Sequence, residues 1–261
     1  MKKTKLYFAS DFHLGIPDRK LSLEREKLLV SWLDKVKEDA SEIFLMGDVF
    51  DFWFEYKFVI PKGYSRLLGK LAEITDSGIP VHLFRGNHDV WAFDYLKEEL
   101  NINLFREAVV REYDGKKLFL AHGDGLGPGD NGYKFLKKVF EFKPNQFLFR
   151  WLHPDIGSRL GLYFSKKSRL SNIYKEGKKE KENDLEDEML YQYSKRKHEQ
   201  QPDIDYFIFG HRHIPMQVNV GGKSEMIILG DWLSHFSYGV FEDGKMRIEY
   251  WPSSTKLVEG N

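Results

Sequence analysis

Five short polar blocks constrain the fold of this chain more than any other feature of its sequence. Each block follows a short apolar run and contains aspartate, histidine or asparagine. In the last four a glycine adjoins the polar residues, and glycine lets the backbone turn sharply at a strand end. The blocks are Ser10-Asp11-Phe12-His13, Gly47-Asp48-Val49-Phe50-Asp51, Gly86-Asn87-His88-Asp89, Ala121-His122-Gly123-Asp124 and Gly210-His211-Arg212-His213. Five such strand ends predict one metal centre assembled from distant parts of the chain.

The number of ligands indicates two ions rather than one. The seven candidate ligands are Asp11, His13, Asp48, Asn87, His122, His211 and His213. One ion has only about four to six positions for them, so two ions sharing a bridging carboxylate are expected. Asp48 is the predicted bridge, because its strand lies between the others. The chain has no cysteine, and nitrogen and oxygen ligands that include a neutral amide favour Mn²⁺, Fe or Zn²⁺ over calcium.

Four further residues in the blocks are candidates for the chemistry around the ions. His88 is predicted to stabilise charge on a phosphoryl group or to protonate a leaving oxygen. Asp89 is predicted to orient a histidine, and Asp51 and Asp124 to accept hydrogen bonds from ligand imidazoles. A single Asp-x-His is a weak signal for a metal, and Gly-Asn-His-Asp by itself is equally typical of a β-turn. The recurrence of five blocks in this order favours the metal centre.

The first third of the chain has an alternating pattern of strands and helices. A helix is predicted over residues 21–40, with Ser22 as its N-cap, and a second over 63–77. Apolar strands are predicted at 43–46 and 81–84. The resulting β-α-β-α-β order predicts α/β layering with a parallel core.

Three turn signals mark hairpins later in the chain. Asp114-Gly115, Gly221-Gly222 and Asp243-Gly244 each separate two runs of strand-forming residues. The C-terminal half is therefore expected to add antiparallel strands, in a second sheet packed on the first.

Residues 125–205 have the character of an insertion, which leaves 1–124 and 206–261 as the core. Within the insertion, residues 133–152 are predicted to be helical and combine many aromatic rings with interleaved lysine and arginine. This stretch is either a buried helix pair or a surface for substrate or membrane. Residues 184–201 are predicted to form a charged surface helix.

Overall composition excludes several classes of protein. Forty basic residues balance forty acidic ones among 261 residues, so a global polyanion-binding surface is not expected, and neither is a nucleic-acid partner. The apolar run near the start is shorter than the ~7 residues a signal peptide needs. No window approaches the ~18 apolar residues that span a bilayer. A cytoplasmic protein is expected, and no obligate protein partner is evident.

The five blocks resemble the calcineurin-like metallophosphoesterase superfamily, whose pattern is Asp-x-His, Gly-Asp, Gly-Asn-His-Asp/Glu, His-Gly and Gly-His-x-His. The resemblance covers nearly the whole chain outside the insertion. It implies an α/β (α+β) fold, a β-sandwich of two mixed sheets flanked by helices, with the insertion as a helical cap. It also implies that one ion takes Asp11, His13, Asp48 and His213, and the other Asp48, Asn87, His122 and His211.

Within that superfamily the chain is similar to the UDP-2,3-diacylglucosamine hydrolases of lipid A biosynthesis. The similarity lies in the first two blocks with the residues that follow them, in Asp130 and Tyr133 after the fourth block, and in the long helical insertion. It implies two Mn²⁺ ions, attack on the α-phosphorus, and release of UMP and 2,3-diacylglucosamine 1-phosphate. The substrate contacts that it implies are Asn87, His88, Asp130, Tyr133, Ser165, Arg169 and His211.

The same similarity implies a protein peripheral to the inner membrane, with an apolar wall of the insertion holding the acyl chains. His88 departs from the pattern, since better-known members of that hydrolase family carry arginine there. A metallophosphoesterase of a different phosphodiester or nucleotide is therefore the alternative. A non-catalytic scaffold is a further alternative, and the presence of all seven ligands opposes it.

Overall fold

Two mixed β-sheets packed face to face form the centre of the structure, a computed structural model. It describes residues 4–127, 131–179 and 185–252. For residues 131–133, 168–179 and 187 it describes the backbone alone.

The first sheet has six strands. They are β1 (Lys5–Ala9), β2 (Ala40–Leu45), β3 (Val81–Phe84), β4 (Asn103–Phe105), β10 (Ser237–Glu242) and β11 (Lys245–Tyr250). Their order is β11-β10-β1-β2-β3-β4. Strands β1 to β4 are parallel to one another, and β10 is antiparallel to both of its neighbours, β1 and β11. The predicted parallel core is confirmed. The expectation that the last hairpin lies in the second sheet is wrong, because β10 pairs with the free edge of β1.

The second sheet has five strands. They are β5 (Val109–Tyr113), β6 (Lys116–Ala121), β7 (Tyr206–Phe209), β8 (Met216–Gly221) and β9 (Ser224–Ile228). Their order is β5-β6-β7-β9-β8, in which β6, β7 and β9 are parallel and the two outer strands antiparallel. The predicted α/β fold with two mixed sheets and flanking helices is confirmed.

Alternation of side chains along β1 builds two apolar layers at once. Leu6 and Phe8 point between the sheets, where they pack with Phe44 of β2 and with the inner face of the second sheet. Tyr7 and Ala9 point outward and pack under helices. The two-residue period of a strand produces this division, and the sandwich holds the strand ends rigidly.

Helices α1 (Arg19–Val36) and α2 (Ser65–Asp76) cover the outer face of the first sheet, and α3 (Tyr95–Glu98) is a single short turn near β4. Helix α1 begins earlier than predicted, because Asp18 and not Ser22 is its N-cap. The Asp18 carboxylate accepts hydrogen bonds from the backbone N–H groups of Lys20 and Leu21. Ser22 instead accepts one from Gly15 N–H.

In the described residues between β6 and β7 lie the α-helices α4 (Asn131–Glu141), α5 (Lys143–Arg150), α6 (Pro154–Lys179) and α7 (Met189–Gln200), with a 3-10 turn at Leu185–Asp187. The stretch predicted to be helical over 133–152 forms two helices, α4 and α5. Pro144 lies in the first turn of α5, where proline fits and cannot continue a preceding helix. Helix α7 packs Leu190 and Tyr191 on the outer face of the second sheet, so the predicted surface helix has one buried face.

Helices α4 and α5 are anchored to the loops after β2 and β3 by aromatic side chains. The ring centroid of Phe149 lies 4.7 Å from that of Phe54 and 4.7 Å from that of Trp91. The Trp91 indole N–H donates to the Phe140 carbonyl at 2.8 Å. Other rings of the same helices, such as Trp151 with 77% of its surface exposed, face outward. The aromatic stretch therefore has one packed face and one exposed apolar face.

None of the described helices combines the length and the apolar character needed to cross a membrane.

Candidate metal centre

The polar blocks meet at one edge of the sandwich. They follow β1, β2 and β3 of the first sheet and β6 and β7 of the second. Parallel strands present their carboxyl ends at the same edge. Backbone hydrogen bonds tie neighbouring blocks together, from Asp11 N–H to the Gly47 carbonyl at 3.1 Å and from Gly210 N–H to the His122 carbonyl at 2.9 Å. All seven predicted ligands are brought together here.

One group of donors comprises Asp11, His13 and His213, whose ligand atoms lie within 4.8 Å of one another. Asp11 Oδ1 lies 3.7 Å from Nε2 of His13 and 3.7 Å from Nε2 of His213. The two imidazoles stack nearly parallel, with centroids 5.1 Å apart. These atoms face a common point and do not bond to one another.

A second group comprises Asp48, His122 and His211, again within 4.8 Å. Asn87 Oδ1 lies 3.4 Å from His122 Nε2 and adds a neutral donor. Asp48 Oδ2 is 3.5 Å from His122 Nε2 and 3.7 Å from His13 Nε2, so one carboxylate oxygen faces both groups. This is the position that a bridging ligand requires.

Buried atoms without partners show that the two groups fit a pair of cations. Among the described residues, Asp11 Oδ1 and both ring nitrogens of His13 are buried and make no hydrogen bond. Such atoms are costly to bury unless something else satisfies them. Nitrogen and oxygen donors without thiolate suit Mn²⁺, Fe or Zn²⁺.

Charge in the centre is concentrated on carboxylates, and the histidines respond to it. Burial opposes a charged His122, but the Asp48 carboxylate outweighs burial and raises the pKa of His122 to about 10. For Asp48, burial acts in the opposite direction, yet the nearby histidines hold its pKa well below the usual range. Burial and the His122 charge lower the pKa of His211 to about 4. The anionic centre therefore attracts positive charge.

Four of the seven candidate ligands have left-handed backbone conformations. The φ angles of Asp11, His13, Asp48 and His211 are 57°, 43°, 52° and 65°. Residues with a side chain rarely adopt this conformation, which costs about 1 kcal/mol or more and clusters at functional sites. The folded sandwich holds these ligands in place before any ligand binds.

Two of the motif glycines provide space rather than a sharp turn. Gly86 and Gly210 have no left-handed φ, unlike Gly47 with a φ of 99°. A Cβ on Gly86 would meet the Asp48 carboxylate and would lie 2.6 Å from the Asp48 backbone nitrogen. A Cβ on Gly210 would meet the Ser10 hydroxyl and Asp11. The sequence interpretation of a turn therefore applies to Gly47 and to Gly123, whose φ is 119°, whereas Gly86 and Gly210 allow neighbouring blocks to approach.

His88, Asp51 and Ser165 form a hydrogen-bonded cluster beside the centre. His88 Nδ1 lies 2.9 Å from the Asp51 carbonyl, and because a carbonyl only accepts, Nδ1 carries the proton. The Ser165 hydroxyl donates to Asp51 Oδ2 at 2.6 Å and lies 3.0 Å from His88 Nδ1. Burial lowers the pKa of His88 to about 4. Asp51 Oδ1 also lies 3.4 Å from His13 Nδ1, close to that ring but without a hydrogen bond to it.

Asp89 and Asp124 have neighbours that the sequence did not indicate. Asp89 accepts the backbone N–H groups of Val49 and Gly86, at 2.8 and 2.6 Å, where a histidine was expected. It therefore joins the second and third blocks to each other. Asp124 Oδ2 accepts from Lys137 Nζ of α4 at 2.7 Å, which fastens that helix beside His122.

Asp231 is a component of the site that sequence reasoning missed. Its Oδ2 lies 3.1 Å from Nδ1 of the candidate ligand His213, and its Oδ1 accepts the backbone N–H groups of Ser234 and His235 at 3.0 Å each. These hydrogen bonds outweigh burial and lower its pKa to about 2. Carboxylates in this position orient metal-binding histidines. The signal was present, since Gly230-Asp231 follows β9 as Gly47-Asp48 follows β2.

The predicted substrate contacts are only partly within the described structure. Ser165, on α6, contacts the His88 cluster directly, and Asn87, His88 and His211 lie in the centre. Asp130 lies outside the described residues, as do the side chains of Tyr133 and Arg169.

Comparison with known proteins relates this site to a family. Residues 4–215 match the calcineurin-like phosphoesterases. A UDP-2,3-diacylglucosamine hydrolase of Porphyromonas gingivalis is 35% identical over 258 residues, covering 95% of this chain and 97% of that protein. A UDP-2,3-diacylglucosamine hydrolase of Yersinia pestis is 26% identical over 225 residues, covering 84% and 90%. Among solved structures, a dimetal phosphatase from Danio rerio aligns with a TM-score of 0.46 at 12% identity, covering 95% of this chain and 96% of that one.

Proposed function

This chain belongs to the calcineurin-like phosphoesterase family, and on that premise we propose that it hydrolyses the diphosphate of UDP-2,3-diacylglucosamine. The products are UMP and 2,3-diacylglucosamine 1-phosphate. Full-length similarity to hydrolases of that name supports the substrate. The alternative is a metallophosphoesterase of another phosphodiester or nucleotide.

One observation carries the proposal: helix α6 lies directly over the candidate centre. Ser165 of α6 is buried and shares hydrogen bonds with Asp51 and His88. A phosphoester reaching the centre must therefore contact the helical cap, which we define as α4 to α6, residues 131–179. A small soluble ester needs no such cap, whereas a lipid-linked substrate needs an apolar wall beside the reacting phosphorus.

The outer surface of the cap supports a lipid-bearing substrate. Apolar side chains are unusually exposed along α5 and α6, and the most exposed are Trp151 at 77%, Leu148 at 65%, Tyr163 at 61%, Phe147 at 60% and Phe164 at 56%. Lysine and arginine are interleaved with them along the same helices. Apolar and cationic side chains on one surface favour peripheral contact with an anionic membrane. We propose that the cap receives the acyl chains from the inner membrane surface.

The ligand set supports a pair of divalent cations, proposed to be Mn²⁺. One ion would be held by Asp11, His13, Asp48 and His213, and the other by Asp48, Asn87, His122 and His211. Bound there, they would supply Lewis-acid activation of water and of the phosphoryl oxygens. Asp231 holds the His213 ring, and Asp51 and Ser165 hold the His88 ring. Because Nδ1–H of His88 is already hydrogen-bonded, Nε2 is the remaining ring atom, and it would donate to a phosphoryl oxygen or protonate the leaving oxygen only in the imidazolium form, which burial disfavours.

Release of UMP from UDP-2,3-diacylglucosamine, in detergent with added Mn²⁺, tests this function. We expect rapid release by the wild-type protein and none by Asp48→Ala, which removes the ligand shared by both groups. Asp203→Ala is the matched control, since Asp203 is exposed and, among the residues the structure describes, its ion pair is with Lys117. Ser165→Ala is expected to reduce turnover while metal content stays the same.

Simple phosphodiesters distinguish the two candidate functions. A protein that hydrolyses bis(p-nitrophenyl) phosphate well and releases no UMP from the lipid nucleotide would refute the proposed substrate and leave the broader phosphoesterase. Retention of full activity by Asp48→Ala would refute the two-ion centre itself.

A further inference from the structure

A cavity of about 480 Å³ opens onto the metal centre from a direction that the cap helix α6 does not cover. It lies between the loops after β3 and β4 on one side and helices α4 and α5 on the other. Its inner end is formed by His122 and Asp124. Neither Ser165 nor His88 lines it. The cavity therefore reaches His122 without passing Ser165 or the His88 cluster.

Aromatic rings and cations line the cavity together. Phe105 is half-buried and stacks on the buried Phe84 with centroids 4.9 Å apart, and Phe93 forms part of another wall. Arg85 has 8% of its side chain exposed and donates to the Val90 carbonyl at 2.6 Å. Its guanidinium lies 3.7 Å from the Glu141 carboxylate of α4.

Two rim cations differ from the other two because they remain available to an anion. Lys137 is paired with Asp124 at 2.7 Å, and Arg85 has Glu141 beside it. Arg106 and Lys143 also line the cavity, and within the described parts of the chain neither forms an ion pair. Both are exposed. The lining also holds three carboxylates, Glu107, Asp124 and Glu141, of which Asp124 and Glu141 lie beside Lys137 and Arg85. Arg106 and Lys143 are therefore the part of the rim that favours a ligand carrying negative charge and a flat ring.

We propose that this cavity is a nucleotide subsite that binds the uridine half of the substrate while the acyl half lies under α6. The proposal rests on the proposed function, since it divides that substrate across the centre. Its volume lies within the ~300–1,000 Å³ of small-ligand pockets. Aromatic walls suit the face of a pyrimidine base. Arg106 and Lys143 would hydrogen-bond to the uracil carbonyls or to the phosphate next to the ribose.

Binding of UMP and of inorganic phosphate to the Mn²⁺-loaded protein, measured by titration calorimetry, tests the subsite. Removal of one charge-assisted hydrogen bond weakens a ligand by about tenfold. We expect Arg106→Ala and Lys143→Ala each to lower the affinity for UMP about tenfold relative to the affinity for inorganic phosphate. Lys57→Ala, an exposed lysine outside the cavity, is the matched control and should leave the ratio unchanged.

A variant that fills the cavity provides a second measurement. Ala108 lines the cavity and is exposed, so Ala108→Trp adds bulk without disturbing the apolar core. We expect this variant to lower the affinity for UMP at least tenfold and to leave the affinity for inorganic phosphate unchanged. UMP affinity that is unchanged in all three variants would overturn the subsite.

Failure of this proposal is distinguishable from failure of the proposed function. If UDP-2,3-diacylglucosamine is cleaved but the variants bind UMP with unchanged affinity, the proposed function stands and the subsite is wrong. If that substrate is not cleaved, yet UMP or AMP binds with the same dependence on Arg106 and Ala108, the subsite stands and the substrate assignment is wrong.

Discussion

Individual residues at this site are held more tightly than their motifs suggest. Asp11, His13, Asp48 and His211 occupy a backbone region that disfavours side chains. Gly86 leaves room for Asp48, and Asp89 joins two blocks through backbone N–H groups. Each small constraint removes a degree of freedom from a ligand, which is how a protein prepares a metal site in advance.

Asp231 gives the first prediction at this scale. Asp231→Asn removes the carboxylate that holds Nδ1 of His213 and should weaken metal affinity about 10- to 100-fold. The check is the Mn²⁺ concentration needed for half-maximal activity, with most activity returning at high Mn²⁺. Asp243→Asn, in an exposed turn with a φ of 51° that asparagine tolerates, is the control. An unchanged Mn²⁺ requirement in Asp231→Asn would contradict the assigned role.

The second prediction at the residue scale concerns Gly86. Gly86→Ala places a methyl group against the carboxylate and backbone of Asp48, so we expect a loss of about 1–3 kcal/mol in the free energy of unfolding together with loss of activity. Denaturant unfolding measures the first and UMP release the second. Gly69→Ala is the control, because Gly69 is in helix α2 with open space around it. That change should stabilise the protein by about 0.5–1 kcal/mol. Equal effects of the two substitutions would show that space at Gly86 is not critical.

The strands and the cap helices have different roles at the candidate centre. The parallel strands carry the ligands, whereas helices α4 to α6 contribute Ser165 and Lys137 from above. The cap is attached by rings on the loops after β2 and β3, and those same loops carry Asp48 and His88. One aromatic cluster therefore joins the cap to the loops that carry the candidate ligands.

Phe149 tests that attachment. Its ring packs between Phe54 and Trp91, so Phe149→Ala should loosen α5. We expect faster proteolysis within the cap and a higher KM for the lipid nucleotide, with far-UV circular dichroism of the core retained. Phe147→Ala, on the same helix but 60% exposed, is the matched control. If the two variants are cleaved by protease at the same rate, Phe149 does not anchor the cap.

The whole molecule is a sandwich closed at one edge by shared ligands. In the first group, Asp11 and His13 come from the first sheet and His213 from the second; in the other group, Asp48 comes from the first sheet and His122 and His211 from the second. Each proposed ion would therefore join the two sheets. Binding to the folded state alone stabilises it in proportion to the logarithm of ligand concentration.

Metal removal is the prediction at this scale. At Mn²⁺ concentrations ~100 times the dissociation constant, the gain is about 2.7 kcal/mol, which corresponds to a rise in Tm of about 5–10 °C for a chain of this size. Differential scanning calorimetry with a chelator and then with Mn²⁺ measures it. Asp48→Ala should show a much smaller rise. A wild-type Tm insensitive to both treatments would argue against ions that bridge the sheets.

Much of this site could be predicted because its signals are local. A ligand at a strand end is visible as an apolar run followed by Asp, His or Asn, and strand order places those ends at one edge. Asp231 followed the same pattern after β9 and could have been found. Residue type alone does not predict the N-cap of α1, because Asp18 and Ser22 are both favourable N-cap residues.

The sequence by itself determined the fold class, the parallel core and the set of donors, since these depend on periodicity and on residues close along the chain. Tertiary structure alone decided which sheet received the last hairpin, which carboxylates contact which histidines, and where a cavity remains between α4 and the loops after β3 and β4. Such outcomes depend on which surfaces distant in sequence pack together, and local residue patterns do not determine that packing.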